Sequence, residues 1–286
     1  MHKRIKIGNI YIDFTYQYED YFSEKIDAYQ TNDLNHSFKT MTIDVQKQIE
    51  KPDRPITFTY KNRHKMAQVK DTYVMTLSDE GDIKHLIYYT NDYQNIKITL
   101  NQKIHERLAE FEYVISGMMF FEMALMEGYM PIHASCIYFD GHTFLLSGPS
   151  KSGKSTQTKY FIESYPSSKI INEDKPLIFF KDNKAYVIGS PWSGKHVINE
   201  NIEKPLDYIF FINKAEKLSF HSLSRNEKMK QVFKNIHRPG DEVLVHQMMI
   251  IVNQMIDHLS IDQFNCINHP DSSKFLFKFM EGYREN

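Results

Sequence analysis

At 286 residues, 41% hydrophobic and 14% aromatic, the chain can bury a substantial core; this excludes intrinsic disorder and leaves room for one large domain or two small ones. A net charge of −1 lacks the basic excess of a general nucleic-acid binder, so no nucleic-acid partner is expected. Two cysteines, Cys136 and Cys266, lie far apart and form neither a disulfide framework nor a zinc-binding pair, so they are read as reduced, buried thiols.

The first residues, Met1 to Phe14, carry basic side chains with no continuous apolar segment behind them, so they do not read as a signal peptide. Residues 1–103 are rich in period-two alternation: Ile10, Ile12, Phe14 and Tyr16, then Met41, Ile43 and Val45, then Ile56, Phe58 and Tyr60, then Ile96, Ile98 and Leu100. That spacing predicts half-buried strands. Polar stretches at 30–36 and 50–54 separate them, and Glu80-Gly81-Asp82 marks a turn. The segment is expected to be an antiparallel β-rich N-terminal domain without a catalytic constellation. Its histidines, His36, His64 and His85, lack metal-ligand spacing.

From residue 104 the period changes. Leu108, Phe111, Ile115, Met118, Met119 and Met123 recur at helical spacing, with Glu106, Glu110 and Glu112 keeping one face polar and Gly128 and Pro131 closing the helix. The Met-rich stripe reads as core filler. The stretch Tyr113 to Met126 is broken by Ser116, Gly117 and Glu122 and is too short to span a bilayer, so a cytoplasmic protein without a membrane partner is expected. A domain boundary is placed near residue 103, giving domains 1–103 and 104–286.

Cys136 to Phe139 and Thr143 to Leu146 flank Asp140-Gly141, a hairpin signal. The second arm runs into Gly148-Pro149-Ser150-Lys151-Ser152-Gly153-Lys154-Ser155-Thr156, which fits the phosphate-loop pattern G-x-x-x-x-G-K-[ST]. In such a loop the glycines let successive amides point inward at phosphate oxygens, the lysine (Lys154) reaches the β and γ phosphates, and the hydroxyl (Ser155) binds Mg²⁺. A short helix to Ser164 would turn its N-terminal dipole toward the anion. ATP with Mg²⁺ is therefore the expected ligand. A strand at 169–171 ends in Asn172-Glu173-Asp174, and a second hairpin turns at Asp182-Asn183. The loop Gly189 to Lys195 follows, then a buried strand at 208–212, helices at 222–236 and 241–258, a strand near 264–267 and a helix at 272–280. The class is α+β or mixed α/β, with antiparallel hairpins in a mixed sheet.

An acidic pair one strand after the phosphate-loop helix, with a hairpin in front of the loop, resembles the HPr kinase/phosphorylase family and the related catalytic fold of phosphoenolpyruvate carboxykinase. His133, Gly148 to Ser155 and Asn172-Glu173-Asp174 carry this resemblance. Residues 131–282 are also similar to the smaller HPr-kinase-like proteins of ribosomal-peptide maturation systems. The pieces are His133-Ala134-Ser135, Gly148 to Gln157, Asn172 with Asp174-Lys175-Pro176, Gly189 to Lys195 and Arg238-Pro239.

The resemblance implies a kinase that transfers the γ-phosphoryl group to a hydroxyl, of a peptide serine or threonine or of a small molecule. It implies Asp174 as a Mg²⁺ ligand with Ser155, either Glu173 or Asp174 as the base, and His133 as orienting partner. Arg238 would be a phosphate clamp, and Trp192, Ser193 and Lys195 an acceptor or nucleotide loop. Two departures stand out: Glu173 occupies a place where HPr kinases have aspartate, and no counterpart of their phosphorylase segment follows, so phosphorolysis is not expected. The rival readings are a non-catalytic ATP-binding accessory protein of a peptide-modification complex and plain NTP hydrolysis. A homo-oligomer is compatible with the sequence.

Overall fold

A computed structural model describes residues 1–194 and 198–282. The chain divides into two compact units, Met1–Glu127 and Gly128–Asn286.

The first unit runs β1 (His2–Ile7), β2 (Ile10–Thr15), α1 (Ser23–Asp27), β3 (Lys39–Gln46), β4 (Phe58–Tyr60), β5 (Arg63–Ala67), β6 (Asp71–Leu77), β7 (Ile83–Thr90), β8 (Asn95–Asn101) and α2 (Leu108–Met126). Its strands form one eight-stranded sheet in the order β1-β2-β3-β8-β7-β6-β5-β4. The expected wholly antiparallel layer is corrected here: β3 lies parallel to both β2 and β8. Parallel neighbours need a long crossover, and the stretch between Thr15 and Lys39, with α1 inside it, supplies one. Alternate residues such as Ile5, Ile7, Ile12, Phe14, Met41, Ile43, Ile96 and Ile98 are buried, as are Met119, Phe120, Met123 and Leu125 of α2. The helix thus belongs to the first unit, and the boundary falls one helix later than residue 103.

Two other expectations change. Glu112 is fully buried rather than on a polar face, because its carboxylate accepts the backbone N–H groups of Gln17 (2.6 Å) and Tyr18 (2.9 Å). Ile56, Phe58 and Tyr60 are exposed rather than half-buried, since β4 is a three-residue edge strand bonded to β5 alone.

The second unit runs β9 (Met130–Pro131), β10 (Ala134–Phe139), β11 (His142–Ser147), α3 (Lys154–Ser164), β12 (Lys169–Asn172), β13 (Leu177–Lys181), β14 (Lys184–Ile188), β15 (Glu203–Pro205), β16 (Tyr208–Lys214), β17 (Ser219–Ser222), α4 (Arg225–Asn235), α5 (Glu242–His258), β18 (Ser260–Cys266) and α6 (Asp271–Gly282). A six-stranded sheet has the order β12-β10-β11-β16-β18-β17, and a smaller one the order β15-β14-β13-β9. The β10–β11 hairpin turns on Asp140 (φ 48°) and Gly141 (φ 79°), a pair of positive φ values that matches the twist of the two strands. The expected helix at 222–236 begins later, at Arg225, behind an Ser224 cap whose hydroxyl accepts from Glu227 N–H. The stretch before it pairs as β17 with β18.

Pairing direction decides what sits at one edge of the large sheet. Strand β10 is antiparallel to β11 and β12, while β16 is parallel to β11. The start of β10 and the ends of β11, β12 and β16 therefore share that edge. In α/β sheets ligands bind outside the carboxyl ends of such strands.

Candidate functional site

At that edge a cleft of about 690 Å³ is lined by His133, Ser150, Lys151, Gly153, Lys154, Ser155, Thr156, Glu173, Asp174, Ser193, Gly194 and Lys214. The volume is in the range of small-molecule sites.

The loop from 148 to 153 links the end of β11 to α3. Gly148 takes φ +155°, a conformation that L side chains rarely adopt, and a Cβ there would stand 2.8 Å from Ser152 Oγ. That hydroxyl is buried and has no hydrogen-bond partner among the described residues. Gly153 caps α3 with φ 106°, a value that favours glycine. Lys154 is buried, and its Nζ donates to the carbonyls of Gly148 (2.7 Å) and Pro149 (3.3 Å). Burial lowers its pKa, against the opposing pull of Asp174.

The acidic turn stands across the cleft. Asn172, fully buried at the end of β12, accepts the N–H groups of Asp174 (3.0 Å) and Lys175 (2.7 Å) on its Oδ1 and donates from Nδ2 to the Ser190 carbonyl (3.0 Å). The Ser135 hydroxyl donates to the Glu173 carbonyl, and Ala134 N–H to that of Asp174. His133 Nε2 lies 3.2 Å from Asp174 Oδ1. Burial pushes the Asp174 pKa up, but the His133 hydrogen bond and the charges of Lys175, His133 and Lys154 outweigh it, so the net shift is down and the group is a carboxylate at neutral pH. Glu173 Oε2 is buried and accepts no hydrogen bond from a described residue.

His133, Ser150, Lys151, Gly153, Lys154, Ser155, Thr156, Glu173, Asp174 and Ser193 thus meet at one cleft. Trp192 is buried, 3% exposed, and is not among the described lining residues. Lys195 lies outside the described residues. Arg238 is exposed and does not join the described lining. Three contributors were missed in the sequence: Asn172 as the holder of the acidic turn, Gly194, which packs on Asp174, and Lys214. The only signal for Lys214 was a buried strand, 208–212, running on into polar Asn213-Lys214.

Among the described residues no group of three or more His, Cys, Asp or Glu side chains could hold a metal ion by itself. Mg²⁺ takes one or two carboxylates and completes its shell with phosphate oxygens and water. Ser155 and Asp174, which both line the cleft, offer oxygen donors of the kind Mg²⁺ takes.

No family model matches the chain, and no curated protein matches its sequence. Among solved structures it is similar to the HPr(Ser) kinase/phosphatase from Coxiella burnetii, at 10% identity, over 53% of this chain and 94% of that chain, with a TM-score of 0.30. So loose a likeness decides neither fold nor activity, which leaves the weight on the cleft itself. No helix among the described residues is long and apolar enough to cross a membrane.

Proposed function

We propose that the second unit is a Mg·ATP-dependent phosphotransferase with a hydroxyl acceptor. The observation that carries this reading is the shared cleft: a glycine-shaped loop with its lysine and a helix N-terminus on one side, a His-buttressed acidic turn on the other. Phosphoryl transfer needs positioning and charge neutralisation rather than covalent help from the protein, and these parts supply both.

The loop amides and the α3 N-terminus cradle the phosphates, and Lys154 supplies a cation there. Ser155 and Asp174 would hold Mg²⁺, which when bound neutralises phosphate charge. Asp174 suits that task because it is kept ionised and already engaged by His133, which also makes it a weak base. Glu173 is the base: it lines the cleft beside Asp174, and its carboxylate is not tied up by His133. As the acceptor oxygen forms its bond to γ-phosphorus, its proton passes to Glu173, the β–γ bridging P–O bond breaks and ADP leaves. The acceptor is the hydroxyl of a peptide serine or threonine or of a small molecule.

The test is transfer of labelled γ-phosphate to serine- and threonine-containing peptides and free hydroxyl compounds, with nucleotide binding measured alongside. Asp174→Asn is expected to abolish transfer while keeping most ATP binding. Glu173→Gln is expected to slow transfer by roughly 10²–10⁴-fold. Lys154→Ala removes a charge-assisted contact, with a cost on the order of 1.5–3 kcal/mol in ATP binding. Unchanged ATP affinity in Lys154→Ala would remove the phosphate-loop reading. A wild type that binds ATP yet labels no acceptor would make this a nucleotide-binding accessory protein.

A further inference from the structure

The loop has two flanks. On one, across β10, lies the acidic turn; on the other lies β16, bonded to β11 and to β18, both parallel to it. Lys214 ends this strand, lines the cleft and is exposed. Its stem runs past the N-terminus of α3: a Cβ built on Gly153 would lie 3.5 Å from Lys214 Cε. The Lys214 stem is thus within van der Waals reach of the residue that opens α3.

The other cations of the cleft are placed differently. Lys154 is buried and already donates to two loop carbonyls. Lys151 sits on the loop itself, at φ 65°. Lys214 makes no ion pair with a described residue, and its pairing with Cys266 of β18 fixes where its stem starts. A polyphosphate seated on the loop would share the cleft with Glu173 and Asp174, two carboxylates that repel it. A cation opposite them offsets that repulsion where it is greatest.

We propose that Lys214 binds the terminal phosphate of a nucleoside triphosphate and so makes the site prefer triphosphate to diphosphate. This rests on the nucleotide reading above and gives Lys214 the clamping role that the sequence suggested for Arg238. The experiment is calorimetric titration of the full chain with Mg·ATP, Mg·ADP and AMP, for wild type, Lys214→Met, Lys214→Arg and Lys154→Ala.

Lys214→Met is expected to weaken Mg·ATP by about ten- to a hundredfold, Mg·ADP by about threefold at most, and AMP not at all. Lys214→Arg keeps the charge and is expected to stay within about threefold of wild type for ATP. Equal ATP affinity in wild type and Lys214→Met overturns the proposal, as does a parallel loss for all three nucleotides, which marks a structural effect. If Lys154→Ala loses ATP and Lys214→Met does not, only the role of Lys214 falls. A wild type that binds neither ATP nor ADP overturns the nucleotide reading and this proposal together.

Discussion

At Gly194 the backbone takes φ +83°, and a Cβ built there would stand 3.1 Å from Asp174 Cβ and 3.2 Å from its Cγ and Oδ2. The missing side chain is thus space that the carboxylate uses. Gly81 offers a matched control, with φ +91° and nothing within 4 Å of its built Cβ. Both Gly→Ala changes incur left-handed backbone strain of about 1–2 kcal/mol. Only Gly194→Ala also pushes on Asp174 and on the His133 contact that orients it. Denaturant melts are therefore expected to show similar losses for the two variants, while phosphoryl transfer falls by roughly ten- to a hundredfold in Gly194→Ala alone. Full activity in Gly194→Ala would show that the position of Asp174 does not matter to the reaction.

The turn after β12 is the element on which the acidic pair depends, and a single buried amide organises it. Asn172→Ala leaves the N–H groups of Asp174 and Lys175 and the Ser190 carbonyl without their partner. Each unsatisfied buried group costs about 1–3 kcal/mol. The variant is expected to lower the denaturation midpoint and to lose transfer in excess of that loss, because the turn that presents Asp174 is no longer fixed; stability and transfer equal to wild type would refute this. Elements of this kind divide by what the sequence can reveal. The hairpins at Asp140-Gly141 and Asp182-Asn183 were legible because a two-residue turn demands positive φ at both positions, and few residues accept it. The strand, loop and helix from His142 to Ser164 were legible from a motif with a mechanism. The parallel pairing of β3 with β2 and β8 was not, since period-two alternation says which face is buried and is silent on the partner's direction. The burial of Glu112 and the tasks of Asn172 and Lys214 were equally hidden, because each is defined by groups distant in sequence. Trp192 fell between: its loop reaches the cleft through Ser193 and Gly194, while the indole itself is buried.

On the scale of the whole molecule, all the residues lining the cleft belong to the second unit, and the first carries a different kind of chemistry. Within the first unit His85, on β7, has its ring 6.0 Å from that of His105 and 5.1 Å from that of Phe111, and its buried Nδ1 has no hydrogen-bond partner among the described residues. Burial, helped by the charges of His105, Arg63 and Lys84, pushes its pKa down to about 3. The folded unit therefore holds the ring neutral at pH values where the unfolded chain, with an ordinary histidine pKa near 6.5, already binds a proton. Stability from this residue is complete above about pH 6.5 and drains away as pH falls toward 3, at a limiting slope of about 1.4 kcal/mol per pH unit. Asp174 acts later in the second unit: because its pKa is lowered, its contribution is full above the ordinary carboxylate range and is lost only as pH falls through that range and below. Mild acid, near pH 5.5, is thus expected to loosen the first unit before the second. Amide exchange of β6 to β8 follows one unit, and fluorescence of Trp192, the only tryptophan, follows the other. His85→Leu is expected to remove roughly 1 kcal/mol of the stability that the first unit loses between pH 7.5 and 5.5, and to leave the Trp192 signal unchanged. An identical acid loss in wild type and His85→Leu would show that the buried ring is not what makes this unit sensitive to protons.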